Sequence, residues 1–364
     1  MSIGLSKKAS QAYGDARTAP LSYENSPGLS YGLQLGSTKA ASFRSRAFVV
    51  HRAVTGTLHV QSTGAAPLNF ESMYALRSDP ANRALSHDDI QDALRSPGGF
   101  HLSNIGVSVA LEITVDNRRF AVLVETNHSR SYKLISGYCD IGENADSCGH
   151  AAGELLTTAC REITEELLIC RLSSPPIAVT PLRVRTALTS GKDTPPPVLM
   201  PAHYVRNIEV DAARPPIEVI PHQLPAYLAG AFETSRIMID GQLVEAAFYL
   251  DRRYRSGQVV FSFALDLTGC DYTLLHAEDA YCSDSRLLET VLHPDGLILA
   301  ELGPHGKLLG DFCWLREGKL ISIGRTTRVQ VPGVFTTCSG SPGIIERGSV
   351  SISEYRLNQP LIEA

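Results

Sequence analysis

The sequence lacks several features that would assign it at once to a common protein class. No apolar run approaches the roughly 18 residues that span a bilayer, and the first twenty residues contain no apolar core of a secretory signal. Basic residues are neither in excess nor clustered, since 33 Lys and Arg face 38 Asp and Glu, for a net charge of -5. We therefore expect no membrane partner and no duplex nucleic-acid partner, because binding to a phosphate backbone needs grouped Lys and Arg.

The eight cysteines form no Cys-x-x-Cys pair and are scattered through a chain of 364 residues. Reduced thiols and a cytoplasmic location are the expectation, because disulfide frameworks belong mainly to small secreted domains. One stretch is crowded with side chains that zinc could use, but their spacing matches no common ligand pattern: Cys139, Cys148, His150 and Cys160. A zinc site is therefore the weaker alternative to buried or loop thiols.

The chain is long enough for about two domains, and its composition divides it into four parts. With 43% apolar and 20% charged residues, it has the composition of a globular protein. Residues 1–45 are rich in Ser and Gly and are predicted to be a flexible leader, and residues 46–100 are predicted to be a β-rich extension. Residues 101–335 are assigned to the main domain and residues 336–364 to a C-terminal tail.

Turn residues between apolar runs predict most of the local structure. They predict four strand pairs, with turns at Thr55-Gly56, Asp116-Asn117, residues 255–257 and Glu317-Gly318. Capping and stop residues predict short helices at 86–99 and 283–292. Residues 171–225 hold 11 of the 21 prolines and are predicted to be a long loop or linker inserted beside the active face, not the middle of a sheet.

Apolar residues at steps of three and four predict an amphipathic helix near residues 152–167. Its apolar stripe consists of Ala152, Leu156, Ala159, Ile163 and Leu167. Glu162, Glu165 and Glu166 share an arc outside the stripe, because a turn of about 100° per residue brings such positions together. Like charges at this spacing need solvent or a cation to compensate them, and Mg²⁺ is the natural partner of clustered carboxylates. A solvated helix face is the alternative interpretation of these glutamates taken alone.

The residues around this arc resemble the Nudix box. The pattern of that family is Gly, five residues, Glu, seven residues, then Arg-Glu-apolar-x-Glu-Glu-x-Gly-apolar. Its positions are filled here by Gly137, Glu143, Arg161, Glu162, Ile163, Glu165, Glu166 and Ile169. The resemblance covers about residues 118–169 and is strengthened by the order of strand, loop and helix.

Two departures from the box pattern have structural consequences. Seventeen residues instead of seven separate Glu143 from Arg161, and Leu168 stands where the family has glycine. The extra residues are expected to bulge as a loop without moving the helix carboxylates, and the missing glycine predicts a different helix exit. An alternative register through Gly149 and Glu154 misses both spacings by one residue.

The resemblance implies an α/β fold, a Nudix-like α/β/α sandwich with a mixed sheet, that binds Mg²⁺ or Mn²⁺. The implied metal ligands are Glu162, Glu165, Glu166 and Glu143, of which the first three are also the implied catalytic residues. Arg161 is expected to fix the loop to the helix by pairing with Glu143, and Gly137 is expected to allow the turn of the loop. The implied activity is metal-dependent hydrolysis of the diphosphate linkage in a nucleoside diphosphate joined to another group.

Residues outside the box are weaker candidates for the same chemistry. Arg130, Tyr132 and Lys133 precede the box and are candidate substrate-binding residues. Glu278 lies in a later β-rich segment and is a candidate extra base or metal ligand, of the kind that this family supplies from a distal loop.

Two other functions stay open beside hydrolysis. A Nudix-like module could bind a nucleotide or sugar nucleotide without cleaving it and act as a sensor or scaffold. Diphosphate isomerisation on the same scaffold would call for a reactive thiol, for which Cys139 is the nearby residue. For the hydrolase and for the binding module, the expected partner is a small nucleotide-type molecule.

Overall fold

The structure is a computed structural model, and it describes part of the chain. The described residues are 20–22, 30–32, 44–45, 47–53, 57–62, 68–69, 100–126, 131–139, 151–171, 177–184, 198–199, 208–211, 213–229, 237–251, 256–281, 288–293, 296–323, 330–332, 345–346 and 349–351. Strands dominate these residues, and two helices accompany them, α1 (Ala151–Glu166) and α2 (Ala226–Ala229). Neither of these helices is long and apolar enough to cross a membrane.

The strands of the described residues follow one another along the chain in the order β1 Pro20–Ser22, β2 Ser30–Gly32, β3 Arg44–Ser45, β4 Ala47–Arg52, β5 Leu58–Ser62, β6 Leu68–Asn69, β7 Phe100–Val115, β8 Arg118–Thr126, β9 Ser131–Lys133, β10 Ile135–Tyr138, β11 Leu167–Arg171, β12 Ile177–Val179, β13 Leu182–Val184 and β14 Val198–Leu199. They continue with β15 Ile208–Val210, β16 Ile217–Pro221, β17 Ile237–Ile239, β18 Gln242–Val244, β19 Ala247–Asp251, β20 Ser256–Asp266, β21 Thr273–Tyr281, β22 Leu288–His293, β23 Leu297–Leu302, β24 Leu308–Arg316, β25 Lys319–Ser322, β26 Gln330–Pro332, β27 Ile345–Glu346 and β28 Ser349–Ser351.

These strands form one large sheet, one five-stranded sheet and two separate pairs. The five-stranded sheet has the order β15-β12-β11-β21-β22, the pairs are β1-β2 and β3-β6, and the remaining strands belong to the large sheet. Parallel and antiparallel pairs occur in both larger sheets. A mostly β fold with mixed sheets and one long helix agrees with the predicted α/β class in its coarse form.

Strand β7 is the longest strand of the large sheet, and it is buried on both faces. One face carries a period-two row of apolar side chains that are at most 2% exposed: Ile105, Val107, Val109, Leu111, Ile113 and Val115. The other face is buried as well, at Ser108, Ala110 and Glu112. A strand that is covered on both faces belongs to the interior of a fold.

Several strands pair with β7 along its length. Strand β20 runs parallel to it over ten paired residues, from Ile105 to Thr114 of β7. On the opposite edge, β10 pairs antiparallel with residues 106–109 and β8 with residues 112–115. The first residues of β7, 100–104, pair with β4. Strand β10, which carries the first glycine of the box, therefore lies beside the middle of the central strand.

Two of the predicted hairpin turns are confirmed by their backbone angles. Asp116 and Asn117 have φ of 49° and 61° between the antiparallel strands β7 and β8. Glu317 and Gly318 have φ of 48° and 73° between β24 and β25. Two successive positive φ angles are typical of the type I′ turn, whose twist matches that of a hairpin, and Asn, Asp and Gly tolerate them best.

The other two predicted strand pairs are confirmed. The turn at Thr55-Gly56 lies outside the described residues, and Ser256 and Gly257, predicted in the other turn, belong to strand β20. The pair in residues 46–62 is β4 and β5, which are antiparallel. Strand β5 also runs parallel to β17, so the N-terminal strands join the same sheet as the later ones. The pair around residues 255–257 is β19 and β20, with Asp251 opposite Ser256.

Helix α1 confirms the predicted amphipathic helix. The five residues of its predicted stripe are all buried and belong to the main core cluster, together with the apolar row of β7: Ala152, Leu156, Ala159, Ile163 and Leu167. The helix packs on β7, β10 and β21. Burial of this stripe directs the polar face of α1 away from the core.

The predicted change in helix exit is confirmed. Strand β11 begins at Leu167, directly after the last helical residue, Glu166. Leu168, at the position where the family has glycine, pairs with Leu275 of β21 and is buried. A glycine would favour a left-handed cap there, whereas leucine continues into an extended strand.

One of the two predicted short helices is wrong within the described residues. The helix expected at 283–292 is strand β22 from Leu288 onward, paired with β21 from His276 to Tyr281. Pairing with a neighbouring strand outweighs a helical propensity in a short segment. The helix predicted at 86–99 lies outside the described residues.

The proline-rich stretch 171–225 is not a loop throughout. It contains the short strands β12 to β16, and β16 pairs with both β13 and β20 of the large sheet. The strands lie between prolines: Pro181 precedes β13, Pro215 and Pro216 precede β16, and Pro221 ends it. Proline excludes ladder hydrogen bonds only at its own position, so three-residue and five-residue strands fit between prolines.

We expect Asn117→Val to destabilise the protein by about 1–2 kcal/mol, because a β-branched residue opposes the left-handed conformation. Asn117→Gly keeps that conformation accessible and should leave stability within about 0.5 kcal/mol. Denaturant unfolding of the two variants measures the difference. Equal stabilities for valine and glycine would contradict the hairpin turn described here.

Candidate functional site

The first contact of the site joins β10 to the helix carboxylates. The Glu162 carboxylate lies directly against the backbone of Gly137, and a β-carbon at Gly137 would overlap its carboxyl atoms. Gly137 lies inside β10, so the expectation that it serves a turn is wrong. Its role is close approach, because a residue without a side chain leaves room for the carboxylate of a neighbouring helix.

A second contact fixes the last residue of the helix to the same strand. The Lys133 ammonium lies 2.9 Å from one Glu166 carboxylate oxygen, and the Ser136 backbone N–H donates to the other oxygen at 3.2 Å. Lys133 also donates to the carbonyl and the hydroxyl of Ser136, at 3.0 and 3.1 Å. Both members of the Lys133–Glu166 pair are largely buried. The carboxylate therefore joins the end of α1 to a backbone donor of β10.

Arg161 interacts with the other two carboxylates from its own helix. Its Nε lies 3.3 Å from Glu165 Oε1, one helical turn away, and a terminal nitrogen lies 3.9 Å from Glu162 Oε1. The partner expected from the resemblance, Glu143, lies outside the described residues, so that pairing stays a prediction. Within the described residues, Arg161 balances part of the charge of the arc itself.

The electrostatic interaction of the three glutamates is clearest in the pKa of Glu162. Burial, with the neighbouring charges of Glu166 and Glu165, raises the pKa of Glu162 to about 8, although Arg161 and Lys133 oppose the shift. Near neutral pH this carboxyl therefore holds a proton. The three glutamates interact electrostatically, as their helical spacing predicts.

The structure describes two of the three candidate substrate-binding residues that precede the box. Tyr132 is 8% exposed and packs in a hydrophobic cluster with Leu134 and Leu228. Its ring therefore has a packing role, which is the alternative to stacking on a nucleobase. The Lys133 ammonium, expected at a phosphate, is bound to Glu166. Arg130 lies outside the described residues.

Glu278 is placed by strand register beside the end of helix α1. His276 of β21 pairs with Leu167, the residue that follows the helix, and Glu278 comes two positions further along β21, opposite Val291 of β22. Glu278 therefore follows the buried His276 by two positions along β21.

The described cysteines fit the predicted reduced state. Cys139, Cys160, Cys170, Cys270 and Cys313 are all free. Burial raises the pKa of Cys160, on α1, to about 12, so this thiol stays protonated. Cys139, the thiol considered for isomerisation, is fully buried in the main core, as expected for a structural residue.

Sequence reasoning found the glutamates, Gly137 and Lys133 but missed Ser136. Ser136 contributes its backbone N–H, which any residue except proline would supply, so no side-chain signal marks it. Lys133 carried a signal as a basic residue near the box, but its partner was predicted to be phosphate instead of Glu166. These assignments depend on which strand lies beside the helix.

The fit of a divalent cation can be judged from the donors of the arc. Three carboxylates at one helix end supply the oxygen ligands that Mg²⁺ and Mn²⁺ prefer. The pKa of Glu162 is raised mainly by burial, and a cation would relieve the smaller part that comes from repulsion by Glu166 and Glu165. In their described positions, the carboxylates are turned to Gly137, Arg161 and Lys133. No group of three His, Cys, Asp or Glu side chains in the described part of the chain is arranged to hold an ion. The oxygen donors of the arc therefore suit a divalent cation. In this structure the protein's own groups hold these carboxylates.

Comparison with known proteins gives no match. No protein-family model, no curated protein and no solved structure matches this chain. The likeness to the Nudix box therefore rests on the sequence pattern of residues 118–169 alone.

We expect Gly137→Ala to destabilise the protein by about 1–3 kcal/mol, because its β-carbon must displace the Glu162 carboxylate. The matched control is Gly153→Ala in α1, where an added β-carbon meets nothing within 4 Å. That change should stabilise the protein by up to about 1 kcal/mol through helix propensity. Thermal unfolding of both variants measures the contrast, and similar effects at the two positions would contradict the contact.

We expect the stability of the metal-free protein to depend on Glu162 between pH 4.5 and pH 8. A carboxyl whose folded pKa is raised binds its proton more tightly in the folded state, so its contribution is full below the unfolded pKa and is lost as pH rises toward 8. The loss approaches about 1.4 kcal/mol per pH unit at its steepest.

Urea unfolding in EDTA, at a series of pH values, measures this dependence in wild type and in Glu162→Gln. The free energy of unfolding of the glutamine variant should gain on that of wild type as pH rises. Below pH 4.5 the difference between the two proteins should stay constant, which serves as the internal control. A constant difference over the whole range would contradict the raised pKa.

Proposed function

We propose that the protein is a metal-dependent Nudix-type hydrolase that cleaves the diphosphate linkage of a nucleoside diphosphate joined to another group. The observation that carries the proposal is the contact of the Glu162 carboxylate with the backbone of Gly137. These are the first glycine and the first helix glutamate of the box, and they meet although the spacing between them is expanded. The proposal includes a Nudix-like α/β/α sandwich as the complete form of the mixed sheet and helix.

In this proposal Glu162, Glu165 and Glu166 hold Mg²⁺ or Mn²⁺, with Glu143 as a further ligand. The bound ion would supply an activated water for attack on phosphorus and would neutralise charge on the phosphoryl oxygens. The chain contributes the positions of its acids: Gly137 holds Glu162, Arg161 holds Glu165, and Lys133 and Ser136 hold Glu166. Glu278 is the proposed extra base, on strand β21, two positions beyond the residue that pairs with Leu167 at the helix end.

The positions of the carboxylates also support a second candidate, a module that binds a nucleotide or sugar nucleotide without cleaving it. Lys133 and Ser136 already bind both oxygens of Glu166, and Arg161 lies close to Glu165. A binder that uses these acids structurally would keep them without any metal. The partner in both candidates is a small nucleotide-type molecule.

The test is phosphate release from a panel of nucleoside diphosphate derivatives, nucleoside triphosphates and sugar nucleotides, in Mg²⁺, Mn²⁺ or EDTA. For wild type we expect metal-dependent turnover of one class in the panel. Glu165→Gln should lower kcat by about a hundredfold or more, because it removes a charged ligand at the reacting centre. Glu165 is the suitable position because its change leaves the contacts of Glu166 and Gly137 intact.

The matched control is Glu245→Gln, an exposed carboxylate between β18 and β19 that should turn over like wild type. Glu166→Gln should also lose activity, and circular dichroism shows whether its loss reflects unfolding. Absence of turnover in every metal, together with thermal stabilisation by one panel member, would favour the binding module. Absence of both would contradict both candidates.

A further inference from the structure

Two histidines lie side by side on the N-terminal strands, far along the sequence from the glutamate arc. His51 of β4 is directly opposite His59 of β5 in the antiparallel register. Their neighbours Val50, Leu58 and Val60 point into the main core, so the histidines face away from it. Both side chains are partly exposed. The sheet thus presents two imidazoles on its outer face.

The two rings are close and nearly aligned. Their centroids are 4.9 Å apart with an angle of 30° between the ring planes. His51 Nε2 lies 2.7 Å from the side-chain oxygen of Gln61, which is 5% exposed. Because an amide oxygen only accepts, this hydrogen bond places the proton of the neutral His51 ring on Nε2. Gln61 thereby fixes the tautomer and the orientation of one imidazole, as outer partners do at metal sites.

The electrostatics of the pair favour the neutral form of His59. Burial lowers the pKa of His59, and the neighbouring His51 lowers it further. Neutral imidazole is the form that binds metal ions, and two protonated rings at this distance would repel each other. A metal cation between the rings would replace that repulsion by attraction.

The neighbouring residues indicate which metals suit the pair. On the other side of β5, the parallel register places Met238 of β17 beside His59, on the same face. Asp240, the acid that follows β17, already has both carboxylate oxygens bonded to Ser62: it accepts hydrogen bonds from the Ser62 backbone N–H at 2.6 Å and from the Ser62 hydroxyl at 2.7 Å. Imidazole donors suit Cu²⁺, to which a thioether adds at most a weak axial contact, whereas Mg²⁺ requires oxygen ligands.

We propose that His51 and His59 form a binding site for Cu²⁺ on the outer face of the β4–β5 hairpin, with Gln61 as the positioning residue and Met238 as a neighbouring sulfur donor. The two imidazoles fill two coordination positions, and water completes the rest, as at other open metal sites. Cu²⁺ forms the most stable complexes among divalent ions of its series, so it is the ion to test first. This site is independent of the proposed hydrolase.

The experiment titrates the full chain with Cu²⁺ and follows binding by calorimetry and by electron paramagnetic resonance. Wild type should bind one Cu²⁺ at this site, with nitrogen hyperfine coupling from two imidazoles. His59→Gln, which is close in size and keeps the strand polar, should lose one coupled nitrogen and at least about tenfold in affinity. Gln61→Leu should lose about tenfold while keeping both nitrogens, because it removes only the outer partner.

Two control variants separate this site from others. His305→Ala removes an exposed histidine elsewhere and should bind Cu²⁺ like wild type. Glu166→Gln should also bind Cu²⁺ like wild type, so that failure of the hydrolase proposal and failure of this one are distinguishable. Circular dichroism of each variant checks the fold. A spectrum that His59→Gln leaves unchanged, or no Cu²⁺ binding by the folded wild type, would overturn the proposal.

Discussion

The contact between the Glu162 carboxylate and the Gly137 backbone is the constraint on which the candidate site depends. Helix α1 buries its apolar stripe against β7, β10 and β21, and this packing brings Glu162, the first glutamate of the arc, down onto strand β10. A side chain at position 137 would keep helix and strand apart. Two factors therefore set the distance between helix α1 and strand β10: the packed core under the helix and the absence of a β-carbon at Gly137.

Once the helix lies this close, its charges have to be balanced locally. Three carboxylates and two cations meet within a few residues of the strand edge: Glu162, Glu165, Glu166, Lys133 and Arg161. The cations hold the two acids at the end of the helix, and the buried acid instead keeps a proton, as its raised pKa shows. A buried carboxyl with two like-charged neighbours is costly to ionise, because desolvation and repulsion act in the same direction. Such an arrangement is typical of functional sites, although ion-pair networks in structural positions perturb pKa values as well.

Local patterns predicted the fold where they were strong. The positive φ angles of Asp116 and Asn117 follow from residue types that tolerate them, and the stripe of α1 follows from its spacing. Predictions failed where a neighbouring strand decided the outcome. Residues from Leu288 onward form β22 because β21 lies beside them, and the short strands between the prolines form because β20 and β11 offer partners. Pairing of this kind is not encoded in the segment that undergoes it.

The sequence by itself determined which residues are candidates for the site and that three of them share one helix arc, because helical periodicity is a local property. Only the tertiary structure decided what they contact. Lys133 meets Glu166 across 33 positions of the chain, and the partner at Ser136 is a backbone donor. The position of His51 opposite His59 likewise depends on the register in which β4 pairs with β5. Contacts between distant residues depend on how elements pack and pair, and the types of the contacting residues alone do not specify that geometry.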